Sequence, residues 1–459
     1  YDCTDEVKAS SEPADNDAEN SRPAGEFPSK DLEAIRFFNQ FNEGKIPLTA
    51  SDLIKALFIM NTKREGGADT LVQTRTNLII LQWDQLEKQF QDPAFIAFAF
   101  PPKSAATDES PNKLEISLDV NSLDDFFNFA VLKTPTPQDS LPAYRYFQEK
   151  FDNSFPQEFT HLWQDTVLKS FDVLVRWYQD PVCYNYVGWL VFCGKSLLDI
   201  RAALKQASTQ QNAIAQLRQL IKNELPREPA LKEKYNAEYT DYWDAVLKEA
   251  NYAENPWLLR KVLLLFNIAI YIKPTDLDEE AVQKFPFAAY YKDKWDLEHI
   301  ASQKDNDLRE AAKQKEWVRH TITALEMENQ PITISPTPTD AETPNGPINP
   351  PRKSAPGEQT PDLLTDLKQF RDHSAGKFSE LYQRVVEFYD KKYEFSEDAE
   401  KNEMQKHDIS NMVLLDKTTN RGYHNDPFPY KLKCIIERDS AGQLILAGTK
   451  NAFLHYYNF

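Results

Sequence analysis

The chain has 459 residues, long enough for two or three domains and for a substantial core in each. Apolar residues make up 41% and aromatics 12%, which excludes wholesale disorder because that much buried surface offsets the entropy lost on folding. Asp and Glu outnumber Lys and Arg by 71 to 53, a net charge of -18, which excludes a general basic coat for nucleic acid and leaves only a local site open.

Residues 1–30 are acidic, rich in Ser and Pro and without apolar periodicity, so they read as a flexible entry to the fold. This stretch has neither a basic n-region nor an apolar h-region, and so shows no signal peptide. The chain opens at Tyr1 rather than Met, so further residues are expected before it.

From Leu48 the pattern becomes helical. Leu48-Thr49-Ala50-Ser51-Asp52 offers capping residues, and Leu53, Ile54, Leu57 and Phe58 then recur at the 3.6-residue period. Leu78, Leu81, Leu86 and Phe90 mark a second helix, and residues 159–178, 184–207 and 257–272 mark further ones. The run from Val262 to Ile272 is too short to span a membrane and reads as a buried helix, so no membrane partner is expected. The aromatic-rich stretch with Phe171, Trp177, Tyr178, Tyr184, Tyr186 and Trp189 has helical spacing and reads as core rather than as a base-binding pocket.

Gly194-Lys195-Ser196 imitates the end of a phosphate-binding loop, but Trp189 stands where the first glycine is needed, so it is set aside. With 12 glycines and no Gly-x-Gly-x-x-Gly, no glycine-rich nucleotide cradle is present. The four cysteines, Cys3, Cys183, Cys193 and Cys434, are scattered without a Cys-x-x-Cys pair, which fits a reducing, cytoplasmic setting.

Strand signals come late. Trp295-Asp296-Leu297-Glu298-His299-Ile300, the short apolar run 411–415 and the aromatic and β-branched stretch 430–436 predict a small α+β unit entered near Phe285. Residues 329–361, rich in Pro, Thr, Asn and Gly, read as a loop within it. The expected organisation is therefore mainly α: the flexible 1–30, a helical body over 31–284, and a C-terminal unit over 285–459 with a helical insertion.

Two distant pieces of that unit carry the chemistry. Phosphodiester hydrolysis needs a base for water, a hard oxygen-bound cation and a positive group near the phosphate. His299 is a candidate base, Glu298 and Asn420 are candidate oxygen ligands, and Lys431 is a candidate phosphate contact. Arg421, Lys433 and Arg438 are further basic candidates without a motif behind them. Adjacent strand residues face opposite ways, so Glu298 and His299 serve one site only where the strand ends or bulges. Taken singly, each piece also reads as an ordinary partly buried polar pair or an ordinary strand and turn.

Jointly, Glu298-His299, Asn411 and Asn420 resemble the HNH endonuclease pattern, which implies a ββα-metal fold. More closely, residues 295–300 with 409–431 resemble the C-terminal nuclease domain of GmrSD-type, modification-dependent (type IV) restriction proteins. Upstream, residues 38–57 are similar to the segment that follows the nucleotide-hydrolysing centre in that family. The resemblance implies that His299 is the general base, that Glu298 and Asn420 hold Mg²⁺ or Mn²⁺, and that catalytic Asn411 fixes the loop and orients His299. It also implies a DNA partner, phage DNA with or without base modification. The family's Asp-Gly-Gln-Gln-Arg nucleotide signature is absent from this sequence, so nucleotide hydrolysis is expected from a partner chain or from residues before Tyr1, and self-association stays open. From Lys401 to Phe459 there are eight Lys or Arg against six Asp or Glu, a slightly basic end to an acidic protein. The competing expectation is a regulatory or scaffold subunit that binds an NTPase-bearing partner and is not itself catalytic.

Overall fold

In the computed structural model the described residues are 48–62, 64, 67–101, 122–153, 161–236, 241–272, 282–301, 308, 310–328, 360–373, 377–419 and 426–455. The expected flexible entry 1–30 and residues 329–359 of the expected loop lie outside them.

The expected cap forms. Thr49 opens α1 (Ala50–Asn61) in a capping box: its hydroxyl accepts from the Asp52 N–H at 3.2 Å, and the Asp52 carboxylate accepts from the Thr49 N–H at 3.0 Å. Ile54 and Phe58 are then fully buried. In α2 (Asp69–Gln89) the buried seam runs through Ile79, Trp83 and Leu86 and on to Phe90, whereas Leu78 and Leu81, read as core markers, face outward. Both registers have helical spacing, and Trp83 decides between them by stacking on Phe127 and Trp163. The body continues through α3 (Pro93–Ala99), α4 (Ser122–Ala130), α5 (Pro142–Asn153), a π-helical turn Leu162–Leu168 running into α6 (Lys169–Gln179), and α7 (Pro181–Phe192).

The helix predicted over 184–207 is two helices, α7 and α8 (Leu197–Leu204). Gly194 turns the corner with φ +91°, a conformation glycine adopts without steric cost, and the Ser196 hydroxyl caps α8 by accepting from the Asp199 N–H at 3.1 Å. The phosphate-loop lookalike is thus a helix-to-helix corner. Then come α9 (Gln210–Asn223), α10 (Glu228–Tyr235), α11 (Tyr242–Glu249), α12 (Pro256–Ile272) and α13 (Phe287–Lys292). Trp189 and Tyr184 are buried in the main core, and Phe171, Trp177, Tyr178 and Tyr186 pack against it, as their spacing predicts.

After β1 (Asp296–His299) the chain forms α14 (Ala311–Glu328), α15 (Thr360–His373), α16 (Phe378–Lys392) and α17 (Ala399–His407), then a 3₁₀ turn Ile409–Asn411 and β2 (Met412–Leu415). Thr360 and Pro361, grouped with the loop by composition, open α15, where a first-turn proline forfeits no helical hydrogen bond. The chain closes with α18 (Phe428–Ser440) and α19 (Ala447–His455). The strand content read over 430–436 is helix instead: Phe428, Lys431 and Ile435 are buried at intervals of three and four, and prolines start the helix.

The protein is mainly helical, with one two-stranded sheet among the described residues. Among those residues no helix is long and apolar enough to cross a membrane. Buried side chains form a main core that runs across Phe285 and Phe287 into Leu297, Met412 and Leu414, a second core within α14, α15 and α16, and a third around Val413, Leu415, Phe428 and Ile435.

Gly188 in α7 tests how tightly the main core is assembled, because a Cβ there would overlap the Phe287 ring of α13. Helix propensity alone favours alanine by up to about 1 kcal/mol, but overpacking costs about 1–3 kcal/mol. Gly188→Ala is therefore expected to lower the urea midpoint, and a raised midpoint would refute this packing.

Candidate active site

The two sequence pieces meet as paired strands. β1 and β2 run antiparallel with Asp296 opposite Leu415, Leu297 opposite Leu414, Glu298 opposite Val413 and His299 opposite Met412. The Ile300 N–H extends the ladder to the Asn411 carbonyl at 2.8 Å. Side chains alternate faces along a strand, and the cores record the result. Leu297, Met412 and Leu414 join the main helical core, whereas Val413, Leu415 and Ile300 join the core under α18.

Three polar clamps hold the pair. At its entrance the Arg260 guanidinium of α12, with no exposed surface, donates to the Trp295 carbonyl at 2.7 Å and ion-pairs with Asp296. At its exit the Asn411 side chain bridges 110 positions of sequence: its Oδ1 accepts from the Ala301 N–H at 2.8 Å and its Nδ2 donates to the Ala301 carbonyl at 3.2 Å. The same amide donates to the Lys406 carbonyl at 2.9 Å. Asn411 therefore fixes the chain at Ala301, two residues after His299.

The third clamp corrects an expectation. Lys431, placed at the phosphate from sequence, points inward: its ammonium donates to Glu298 Oε1 at 2.6 Å and to the His299 carbonyl at 2.7 Å, and its side chain is 1% exposed. A buried ammonium needs a counter-charge and acceptors, and Glu298 with the strand-end carbonyl supplies both. Burial raises the Glu298 pKa, the Lys431 charge opposes that rise, and nearby Asp296 and Asp426 reinforce it.

His299 lies on the other face. The alternation continues unbroken through Ile300, so its ring leaves Glu298 behind and meets Tyr252 edge-on at 4.5 Å between centroids and His407 at 5.7 Å. Burial, together with the positive charges of Lys431, His407 and Lys406, pushes its pKa down to about 3. The imidazole is therefore neutral near pH 7, the proton-accepting form, though with little basicity for the task. Asn420 and Arg421 lie outside the described residues.

Glu298 has the oxygen-donor chemistry that suits a hard cation. Its carboxylate is already neutralised by Lys431, however, and no group of three or more His, Cys, Asp or Glu among the described residues is arranged to hold a metal. Among the described residues Glu298 is thus the single expected oxygen ligand, its expected companion Asn420 lying outside them.

Sequence reading missed Arg260, Asp296, His320 and Asp426. The Arg260 signal was present, as a charge set inside the apolar helix 257–272. The His320–Asp426 pair, 106 positions apart, left no local pattern. No family model matches the chain, and neither a curated protein nor a solved structure matches it.

Two outcomes test this geometry. Lys431→Met leaves Glu298 buried without its partner and should cost about 3–5 kcal/mol, most of it recovered when Glu298→Gln is added; a denaturation double-mutant cycle measures the coupling. The depressed His299 pKa means that the unfolded chain takes up a proton below pH 6.5 that the folded chain refuses until about 3. That stability is intact above the window and falls by about 1.4 kcal/mol per pH unit within it. Urea midpoints of His299→Gln should accordingly fall less steeply than those of the parent between about pH 6 and pH 4.

Proposed function

We propose that this chain is an HNH-type DNA endonuclease that hydrolyses phosphodiesters with a divalent cation, Mg²⁺ or Mn²⁺, around the β1–β2 pair and α18. The observation that carries the reading is the clamp between Asn411 and Ala301, which joins two fragments singled out for their chemistry, in the order strand, strand, helix. Glu298 and Asn420 are the proposed cation ligands, and the cation would supply charge stabilisation at the scissile phosphate. Arg421 is the remaining proposed phosphate contact, since Lys431 is engaged with Glu298.

Restriction of phage DNA, modified or not, rests on the resemblance to GmrSD-type proteins, as do an NTPase partner and self-association. A cytoplasmic setting belongs to the same proposal and is supported by the unpaired Cys183, Cys193 and Cys434.

One observation favours the second reading, a non-catalytic regulatory or scaffold subunit: the Glu298–Lys431 pair is closed and buried, as in a structural seam. Incubation of the full chain with supercoiled plasmid and phage DNA separates the two. The nuclease reading expects nicking or linearisation with Mg²⁺ or Mn²⁺, abolished by EDTA and reduced at least about 100-fold in a folded Glu298→Gln variant. No cutting under any of these conditions, with or without added nucleotides, establishes the scaffold reading in its place.

A further inference from the structure

His299 and Glu298 occupy opposite faces of β1, so a reaction on the Glu298 face needs its proton acceptor from elsewhere. The helical insertion brings one. α14 packs on α18, and His320 of α14 lies flat on the Tyr430 ring at 3.9 Å between centroids with an interplanar angle of 13°. Its Nδ1 is 2.8 Å from Oδ2 of Asp426, whose side chain is 2% exposed.

A carboxylate at Nδ1 fixes the tautomer: Nδ1 carries the hydrogen and Nε2 presents its lone pair. Nε2 has no partner among the described residues, and the His320 side chain is 18% exposed. α18 carries both Tyr430, on which the His320 ring lies, and Lys431, which holds Glu298, so one helix joins the dyad to the Glu298–Lys431 pair.

We propose that His320 and Asp426 form an acid–base dyad serving the Glu298 face, with His320 Nε2 accepting the proton of the attacking water and Asp426 positioning the ring. This deepens the phosphodiesterase reading and rests on it. Nε2 takes one proton from water, the hydroxide oxygen bonds to phosphorus, and the P–O bond to the leaving sugar oxygen breaks. That oxygen is then protonated from solvent or by the imidazolium, giving a phosphomonoester and an alcohol. The alternative is a pin that fastens α14 to α18, and the two roles part in the experiment below.

The test uses the full chain with supercoiled plasmid and bis(4-nitrophenyl) phosphate, each with Mg²⁺ or Mn²⁺. His320→Asn keeps a donor toward Asp426 and removes the base, so kcat should fall about 100-fold or more while thermal unfolding and DNA binding hold. His320→Gly should regain part of that activity on addition of imidazole, a rescue that a pin does not allow. In Asp426→Asn, which removes the carboxylate that orients the ring, kcat should fall while KM holds. Among the described residues, the titratable groups set against the ring are Asp426 and Tyr430, and Tyr430 in turn bonds Cys434. Parent-level cleavage by His320→Asn overturns the dyad alone, as does lost activity that imidazole fails to restore. No cleavage by the parent chain overturns the nuclease reading and the dyad together.

Discussion

A two-stranded sheet with an apolar core on each face leaves only the polar residues of β1 partly open to solvent, and that constraint organises the C-terminal half of this protein. With Leu297, Met412 and Leu414 committed to one core and Val413 and Leu415 to the other, a slip of one residue would exchange every side chain between cores. Register is therefore fixed by burial on both sides. The polar residues inherit their direction from it, Glu298 toward α18 and His299 toward Tyr252 and His407.

So short a pair is marginal by itself, and each polar clamp satisfies backbone that packing alone would leave unpaired. Arg260 takes the Trp295 carbonyl before the first strand, Asn411 takes both backbone groups of Ala301 after it, and Lys431 takes the His299 carbonyl at its end. Thr449 adds a fourth contact, its hydroxyl donating to the Leu414 carbonyl at 2.6 Å. Buried backbone groups left without partners cost free energy comparable to a lost hydrogen bond. These side chains thus specify the strand pair as much as its apolar residues do.

The helical body was legible where periodicity and caps agreed, as at Thr49 and α1, and in the aromatic core around Trp189. It was misread where two registers were both plausible, as with Leu78 and Leu81 against Ile79 and Trp83, and where a β-rich composition sat on a helical period, as over 430–436. β2 was legible from its apolar run, β1 from the stretch Trp295 to Ile300 after Phe285 and Phe287, and the requirement for a strand end or bulge at His299 identified the point on which a shared site turns. Lys431 was misplaced because sequence shows a charge without its surroundings. The His320–Asp426 contact was invisible because nothing local links residues brought together by the packing of α14 on α18.

The insertion between the strands has a consequence for how the chain assembles. Pairing Ala301 with Asn411 closes a loop of 110 positions, an entropic cost of about 4 kcal/mol for a flexible chain before constant terms. Because α14, α15 and α16 bury a core of their own, they can order before the strands meet and shorten the span left to close. Until Met412 and Leu414 emerge from the ribosome, the part of the main core that they complete stays open, which exposes apolar surface for as long as the insertion takes to be made.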